Sequence, residues 1–193
     1  MTEPCARPRR FAHDGRSEPV RGRGRAPQRG LAGGQTPATP RQVPEGAAER
    51  GALLHAFANH ELLAIELLAQ ALLRFGDAPP AFRRGLLQTL REEQTHLGLY
   101  LERMRALGVE FGARPLSGFF WRVMSGLQTP SAFVAHLSLT FEQANLDFAE
   151  HYRRGFAAMG DHESSRVLKT VLDDEIGHVA FGLRWFEKWK DPE

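Results

Sequence analysis

The sequence contains a single cysteine, Cys5, among its 193 residues. One cysteine cannot form a disulfide within the chain, and it leaves no pair of thiolates for a rubredoxin-type or zinc-ribbon site. The thiolates that structural zinc usually needs are therefore missing. A chain without disulfides suits a reducing compartment, so we expect a cytoplasmic protein.

The sequence also lacks an apolar segment suited to export or to a membrane. An Arg-Arg-Phe run at residues 9–11 resembles the start of a twin-arginine signal, but residues 12–30 are polar and rich in Gly, Pro and Arg. The apolar stretch over residues 53–75 contains two histidines and two glutamates, which are costly in hydrocarbon. We therefore expect no signal peptide and no membrane contact.

Residues 1–44 show almost no apolar periodicity and are dense in Pro, Gly and Arg. Such a segment cannot bury enough surface to offset the entropy lost on ordering, so we interpret it as a disordered tail. The Arg-Gly run at residues 21–25 has no interleaved aromatic residues. We therefore interpret the tail as solvated rather than as a nucleic-acid arm, and expect no nucleic-acid partner.

From about residue 45 the composition changes to Ala, Leu, Glu and Arg, with apolar residues at spacings of three and four. This pattern predicts one all-α domain over residues 45–193. The four long helices are predicted at about 46–75, 81–107, 129–159 and 161–189. Two tight turns and a long middle connection, with a short helix around residues 119–124, predict a four-helix bundle of two antiparallel hairpins joined by a crossover.

The ends of these helices have specific signals. Gly76, Gly108 and Gly160 follow the first three predicted helices, where glycine commonly ends a helix. Thr129 and Asp161 precede the last two helices and are predicted N-caps.

Two predicted helices contain the same short pattern, Glu93-Gln-Thr-His96 in the second and Glu175-Ile-Gly-His178 in the fourth. Three residues turn a helix by about 300°, so the two members of each pair share one face. A single pair of this kind is common on a solvated helical surface. Two copies on equivalent helices indicate a shared site.

Each pattern has a glutamate partner on the preceding helix. Glu61 and Glu93 are equally far from the first turn, and Glu142 and Glu175 are about equally far from the second. Antiparallel partners equidistant from their turn meet at one height. We therefore predict that these four glutamates and the two histidines converge in the core.

Glu66 is the alternative ligand on the first helix. It lies five residues beyond Glu61, about 7.5 Å further along the axis and about 140° around it, so we prefer Glu61. Tyr100 shares a face with Glu93, but about 10.5 Å of axial separation is too far for a ligand.

Four buried carboxylates without a counter-charge would repel one another and carry a large desolvation cost. Two divalent ions would balance their charge with the histidines neutral. Oxygen-rich sites with one imidazole per ion suit iron or manganese. We predict two iron ions, with manganese or a mixed iron/manganese pair as the alternative, held by Glu61, Glu93, His96, Glu142, Glu175 and His178. A set of exposed helical salt bridges is the competing interpretation.

One glutamate from each of two helices, with Glu-x-x-His from the other two, is the arrangement of ferritin-like carboxylate proteins. Four segments carry a closer resemblance: NHELLAIELLAQALLRF, EEQTHLGLYLERMRALGVEFG, FEQANLDF and LDDEIGHVAFGLRWF. They look like the bacterial family named domain of unknown function 455, from about residue 45 to the end. The resemblance implies a ferritin-like fold and an unassigned reaction.

The resemblance also implies roles for the ligands. In such sites the Glu-x-x-His glutamates usually bridge both ions, which assigns Glu93 and Glu175 as bridges and leaves the other two glutamates as terminal ligands. Metal-bound histidines normally donate their second N–H to an acid. Glu92 and Asp174 are candidates to accept from the histidine of the opposite helix, with simple solvent exposure as the alternative.

These features favour an oxidoreductase in which a reduced metal pair activates dioxygen or peroxide and oxidises a small-molecule or nucleotide-like substrate, with an external electron donor. The alternative function is a ferroxidase, iron-handling or peroxide-detoxifying ferritin-like protein. A purely structural bundle does not explain the paired spacings. The sequence is compatible with a homodimer.

Limited proteolysis of the full-length protein should remove the tail, residues 1 to about 44, because this segment has no apolar face to pack. The remaining core should stay helical by circular dichroism and keep its metal. Loss of helical signal on trimming would contradict the division at residue 44.

Overall fold

A computed structural model describes residues 43–190 of the chain. The predicted tail lies almost wholly outside the described residues. Within residues 43–190 the chain forms helices and connecting turns without a strand, so the all-α prediction is confirmed. The elements are α1 (Ala47–Arg74), α2 (Pro80–Ala106), α3 (Phe119–Met124), α4 (Pro130–His136), a π-helical segment (Leu137–Glu142), α5 (Gln143–Ala158) and α6 (His162–Lys190).

The long helices form two antiparallel hairpins. α1 packs along α2, and α5 packs along α6, each pair joined by a tight turn. The hairpins approach each other through α2 and α6. At one end of the hairpins Phe75, which directly follows α1, contacts Phe133 of α4, and at the other end Phe57 of α1 contacts Tyr152 of α5. α1 and the third long helix therefore run antiparallel.

The connection between α2 and α4 follows α1 along its length. The His55 Nε2 atom accepts the backbone N–H of Gly112 at 3.0 Å, and the Asn59 side chain donates to the Ser117 carbonyl at 3.1 Å. Near the end of α1, Arg74 donates to two carbonyls of the connection, each at 2.7 Å. The predicted crossover therefore spans the bundle, and its short predicted helix is α3.

The predicted helix ends agree closely with the structure. The Thr129 hydroxyl accepts the N–H of the residue three positions on at 3.1 Å, and an Asp161 carboxylate oxygen does the same at 3.0 Å. Gly108 and Gly160 have φ values of +76° and +82°, a conformation that glycine adopts without steric cost. The turn chemistry in the sequence therefore places these helices.

The third long helix has the predicted extent but contains a feature that was not predicted. The chain is helical from Pro130 to Ala158, close to the predicted 129–159, and the π-helical segment lies between α4 and α5. In this wider turn the Thr140 hydroxyl bonds to the carbonyl of Ala135, five residues earlier, at 3.2 Å. The segment also packs closely on α6, where a side chain at Gly182 would collide with Ser138. A π turn adds one residue without changing the apolar character of the segment, so periodicity does not reveal it.

Two apolar clusters fill the core. One contains Leu54, Phe57, Tyr100 and Phe156, and the other contains Leu67, Leu68, Phe82 and Phe133. α1 is long and apolar enough to cross a membrane by length and composition, but 56% of its most apolar window is buried in the structure. Burial of this kind is typical of a core helix.

Asp161 links three helices at the α5–α6 turn. Its carboxylate caps α6 and contacts Arg103 of α2 at 2.8 Å and Arg50 of α1 at 2.9 Å. Burial works to raise the pKa of Asp161, but the hydrogen bonds from Ser164 and the two arginines outweigh it and lower that pKa. The turn is therefore fastened by a carboxylate that is ionised in the folded state.

Replacement of Asp161 should destabilise the fold. We expect Asp161→Ala to cost about 2 kcal/mol or more in urea unfolding, because it removes a helix cap and leaves two partly buried arginines without their acid. Asp161→Asn should cost less, since its amide oxygen still caps α6. Asp77→Ala, in the exposed turn of the other hairpin, is the control and should stay near wild-type stability.

Candidate metal centre

The six predicted ligands lie together in the core. Each is at most 3% exposed. They come from every long helix of the bundle, with Glu142 at the last position of the π-helical segment. The competing interpretation of exposed salt bridges is therefore wrong.

The ligand atoms form two groups that could each hold a metal ion. One group is Glu61, Glu93, His96 and Glu175, and the other is Glu93, Glu142, Glu175 and His178. Within each group, one ligand atom from every residue lies within 4.8 Å of the others. Glu93 and Glu175 belong to both groups, which is the position that bridging carboxylates require.

Several atoms of these residues are buried without a hydrogen-bond partner. They are both carboxylate oxygens of Glu61, one oxygen each of Glu93 and Glu142, and Nδ1 of His96. Buried polar atoms without partners cost free energy, and native proteins rarely keep them. Oxygen and imidazole nitrogen are ligands that iron and manganese accept. The residues present therefore fit a pair of such ions.

Both histidines are oriented by an acid on the opposite helix. The His96 Nε2 atom lies 3.0 Å from an Asp174 oxygen, and His178 Nε2 lies 2.8 Å from a Glu92 oxygen. These are the two acids that the sequence indicated for this role. With Nε2–H donated outwards, the Nδ1 atoms face the carboxylates: His178 Nδ1 is 3.1 Å from Glu93. Nδ1 is therefore the nitrogen available to a metal.

Two polar residues of the site were missed in the sequence. The Asn145 amide donates to an oxygen of Glu175 at 3.0 Å, and the Ser138 hydroxyl hydrogen-bonds to Glu142. Asn145 follows Glu142 by three residues, the same spacing as in each Glu-x-x-His pattern. That spacing was the available signal for Asn145. The sequence contained no such signal for Ser138, because the position of Ser138 depends on the π turn.

The carboxylates have strongly shifted pKa values. Burial raises the pKa of Glu61 well above its ordinary value, and nearby Glu93 raises it further. Burial and the charge of Glu175 raise the pKa of Glu142 to about 8. For Glu93, burial acts to raise the pKa, but the adjacent side chains of Glu61, His178 and His96 outweigh it and lower the value.

Both histidines have raised pKa values although they are buried. Burial alone would lower both, but the nearby Glu93 carboxylate raises the pKa of His96, and contacts with Glu175 and Glu93 raise that of His178 to about 12. A metal ion bound to these groups would compete with their protons.

Tyr100 borders the site. Its hydroxyl is fully buried without a hydrogen-bond partner, and burial followed by the charge of Glu61 raises its pKa well above the ordinary value. Its ring stacks on Phe57 at 5.7 Å.

Glu61 and Glu66 occupy different environments, which provides a test of the ligand set. Glu61 is fully buried and Glu66 is exposed. Glu61→Ala should lose metal or retain one weakly held ion, because it removes a ligand and one of the four balancing charges. Glu66→Ala, the matched control on the same helix, should retain two ions per chain by elemental analysis. An empty Glu66→Ala protein beside a loaded Glu61→Ala protein would reverse the assignment.

Comparison with known proteins gives one curated relative at 31% identity over 161 residues, described as an uncharacterized protein of Haemophilus influenzae. The alignment covers 76% of this chain and 55% of the relative, so the chain spans about half of that protein's length. No solved structure matches the chain.

A family match covers most of the sequence. It includes residues 9–193 and so extends well before residue 45, where the resemblance noted in the sequence begins. The chain therefore belongs to the family described as protein of unknown function (DUF455).

Proposed function

We propose that the chain is a ferritin-like four-helix bundle that holds two metal ions and acts as an oxidoreductase. The ions are iron, with manganese or a mixed iron/manganese pair as the alternative. One observation carries the proposal: two groups of buried ligand atoms share Glu93 and Glu175, and each group contains one histidine.

The ligand roles follow from this sharing. Glu93 and Glu175 would be shared by the two ions, since both groups contain them. Glu61 would hold one ion and Glu142 the other. One histidine would hold each ion, with Nδ1 as the nitrogen that faces the carboxylates. Four carboxylates and two divalent ions leave no net charge in the core, which removes the repulsion that otherwise forces protons onto the glutamates.

The surrounding residues hold these ligands in position. Asp174 and Glu92 accept the outward N–H of the histidines and fix their tautomer. Asn145 donates to one oxygen of Glu175 and limits the rotation of that carboxylate. The apolar clusters on both sides exclude bulk water, which strengthens electrostatic interactions within the site.

A bound, reduced iron pair would supply electrons to dioxygen or peroxide, and the activated oxidant would accept further electrons from a substrate. The proposed substrate is a small or nucleotide-like molecule. The proposal includes an external electron donor, a separate protein or small molecule, that returns the iron pair to its reduced state. We propose a cytoplasmic location, with a homodimer as a compatible assembly.

Metal should stabilise the folded chain, because the unfolded chain does not assemble the six ligands. Free metal at a hundred times its Kd contributes about 2.7 kcal/mol, which corresponds to roughly 5–10 °C in the melting temperature of a domain of this size. Chelation should lower the wild-type melting temperature by this amount. It should leave a Glu93→Ala, Glu175→Ala double variant almost unchanged.

The matched control is Glu102→Ala with Glu187→Ala, which replaces exposed glutamates on the same two helices. It should respond to chelation as the wild type does. An unchanged wild-type melting curve after verified metal removal would contradict the di-metal proposal.

Iron content separates the proposed oxidoreductase from an iron-handling protein. We expect two iron ions per chain, and an optical change when oxygen is added to the reduced protein. Continued uptake of many iron ions per chain would favour the iron-handling alternative.

A further inference from the structure

The six ligand residues are enclosed, so a molecule that reaches them must pass one face of the bundle. On the α2–α6 face, two hydrogen bonds cross between the helices at the level of the site. They join His96 to Asp174 and His178 to Glu92, at 3.0 and 2.8 Å. These bonds also orient the ligands, so opening this face would disturb the site itself.

The opposite face, between α1 and the third long helix, is closed differently. Phe57 and Tyr152 meet across it with ring centroids 6.0 Å apart, and Phe75 and Phe133 meet at 5.9 Å. These two contacts lie on either side of the site. In both, the side chains belong to the long helices or directly follow one, so the hairpins themselves close these two positions.

At the level of the site, the space between these helices is filled from outside the bundle. The Phe120 ring of α3 stacks on His60 at 4.5 Å, with 6° between the planes, and contacts Phe141 at 4.4 Å. His60 directly precedes Glu61, and Phe141 directly precedes Glu142. Phe120 therefore spans the two helices beside the two terminal glutamates.

The element that carries Phe120 is much shorter than the helices of the hairpins. α3 has six residues and belongs to the connection between α2 and α4, with Phe120 and Met124 buried. Hydrogen bonds from Asn59 to the Ser117 carbonyl and from Arg74 to the Ser125 carbonyl flank it. Short connecting elements commonly open at lower free energy than core helices, which makes α3 the element of this face best suited to move.

We propose that Phe120 controls access to the metal centre, along a route between α1 and the π-helical segment that leads to Glu61 and Glu142. The ring acts as a size filter for small molecules such as dioxygen or azide. This inference rests on the proposed di-metal site. It adds a residue that does not bind the ions itself but determines which molecules reach them.

The test uses full-length protein loaded with Co²⁺, whose visible spectrum reports small-anion binding, and azide as the probe. Wild type, Phe120→Ala and Phe119→Ala should each hold two Co²⁺ per chain. Phe120→Ala should bind azide faster than wild type by about tenfold or more, as expected for a barrier lowered by one aromatic contact. Phe119 is 42% exposed, and its alanine variant is the matched control with a wild-type rate.

Phe120→Leu keeps an apolar side chain in the same place and covers the case in which Phe120→Ala does not fold. It should give an intermediate rate. An equal rate of azide binding in wild type and in a folded, fully loaded Phe120 variant would overturn the access route. It would leave the di-metal proposal standing. Wild-type protein without bound Co²⁺ would instead contradict the di-metal proposal.

Discussion

Four carboxylates buried at one level of a helical core are the constraint on which the rest of this structure depends. Glu61, Glu93, Glu142 and Glu175 cannot all be ionised at low cost without a counter-charge, and among the described residues the ion-pair partners of this cluster are histidines. Burial and the neighbouring carboxylates raise the pKa of Glu61 and of Glu142, and the carboxylates raise the pKa of His178. The four carboxylates would move apart if their helices were free to separate. The apolar packing on both sides of the carboxylates keeps the helices together.

Much of this arrangement could be predicted from the sequence, because helix ends depend on residues close to them and heights in a hairpin depend on the number of residues from the turn. Gly108, Gly160, Thr129 and Asp161 act within one helical turn of their own positions, so their effect is visible in a single sequence. Heights in an antiparallel hairpin follow from residue counts about the turn. For this reason the convergence of Glu61 with Glu93 required no knowledge of side-chain packing.

The features that could not be predicted involve contacts between distant segments. The π turn that ends at Glu142 coincides with the tight contact between Ser138 and Gly182, which are 44 residues apart. The path of α3 depends on hydrogen bonds from Asn59 and on the ring of His60, neither of which has a periodic signal. Such contacts depend on how the two hairpins dock, and no local pattern reports that geometry.

The ligands are nearly symmetric between the two hairpins, but their surroundings are not. Asn145, three residues after Glu142, hydrogen-bonds to Glu175, whereas the equivalent residue after Glu61 is Ala64 and donates nothing. Seven residues after Glu93 the chain has Tyr100, and seven residues after Glu175 it has a glycine. The two groups of side chains that could hold a metal therefore differ in the polarity of their surroundings. In the proposed function, this asymmetry would let two bound ions take different parts in one reaction.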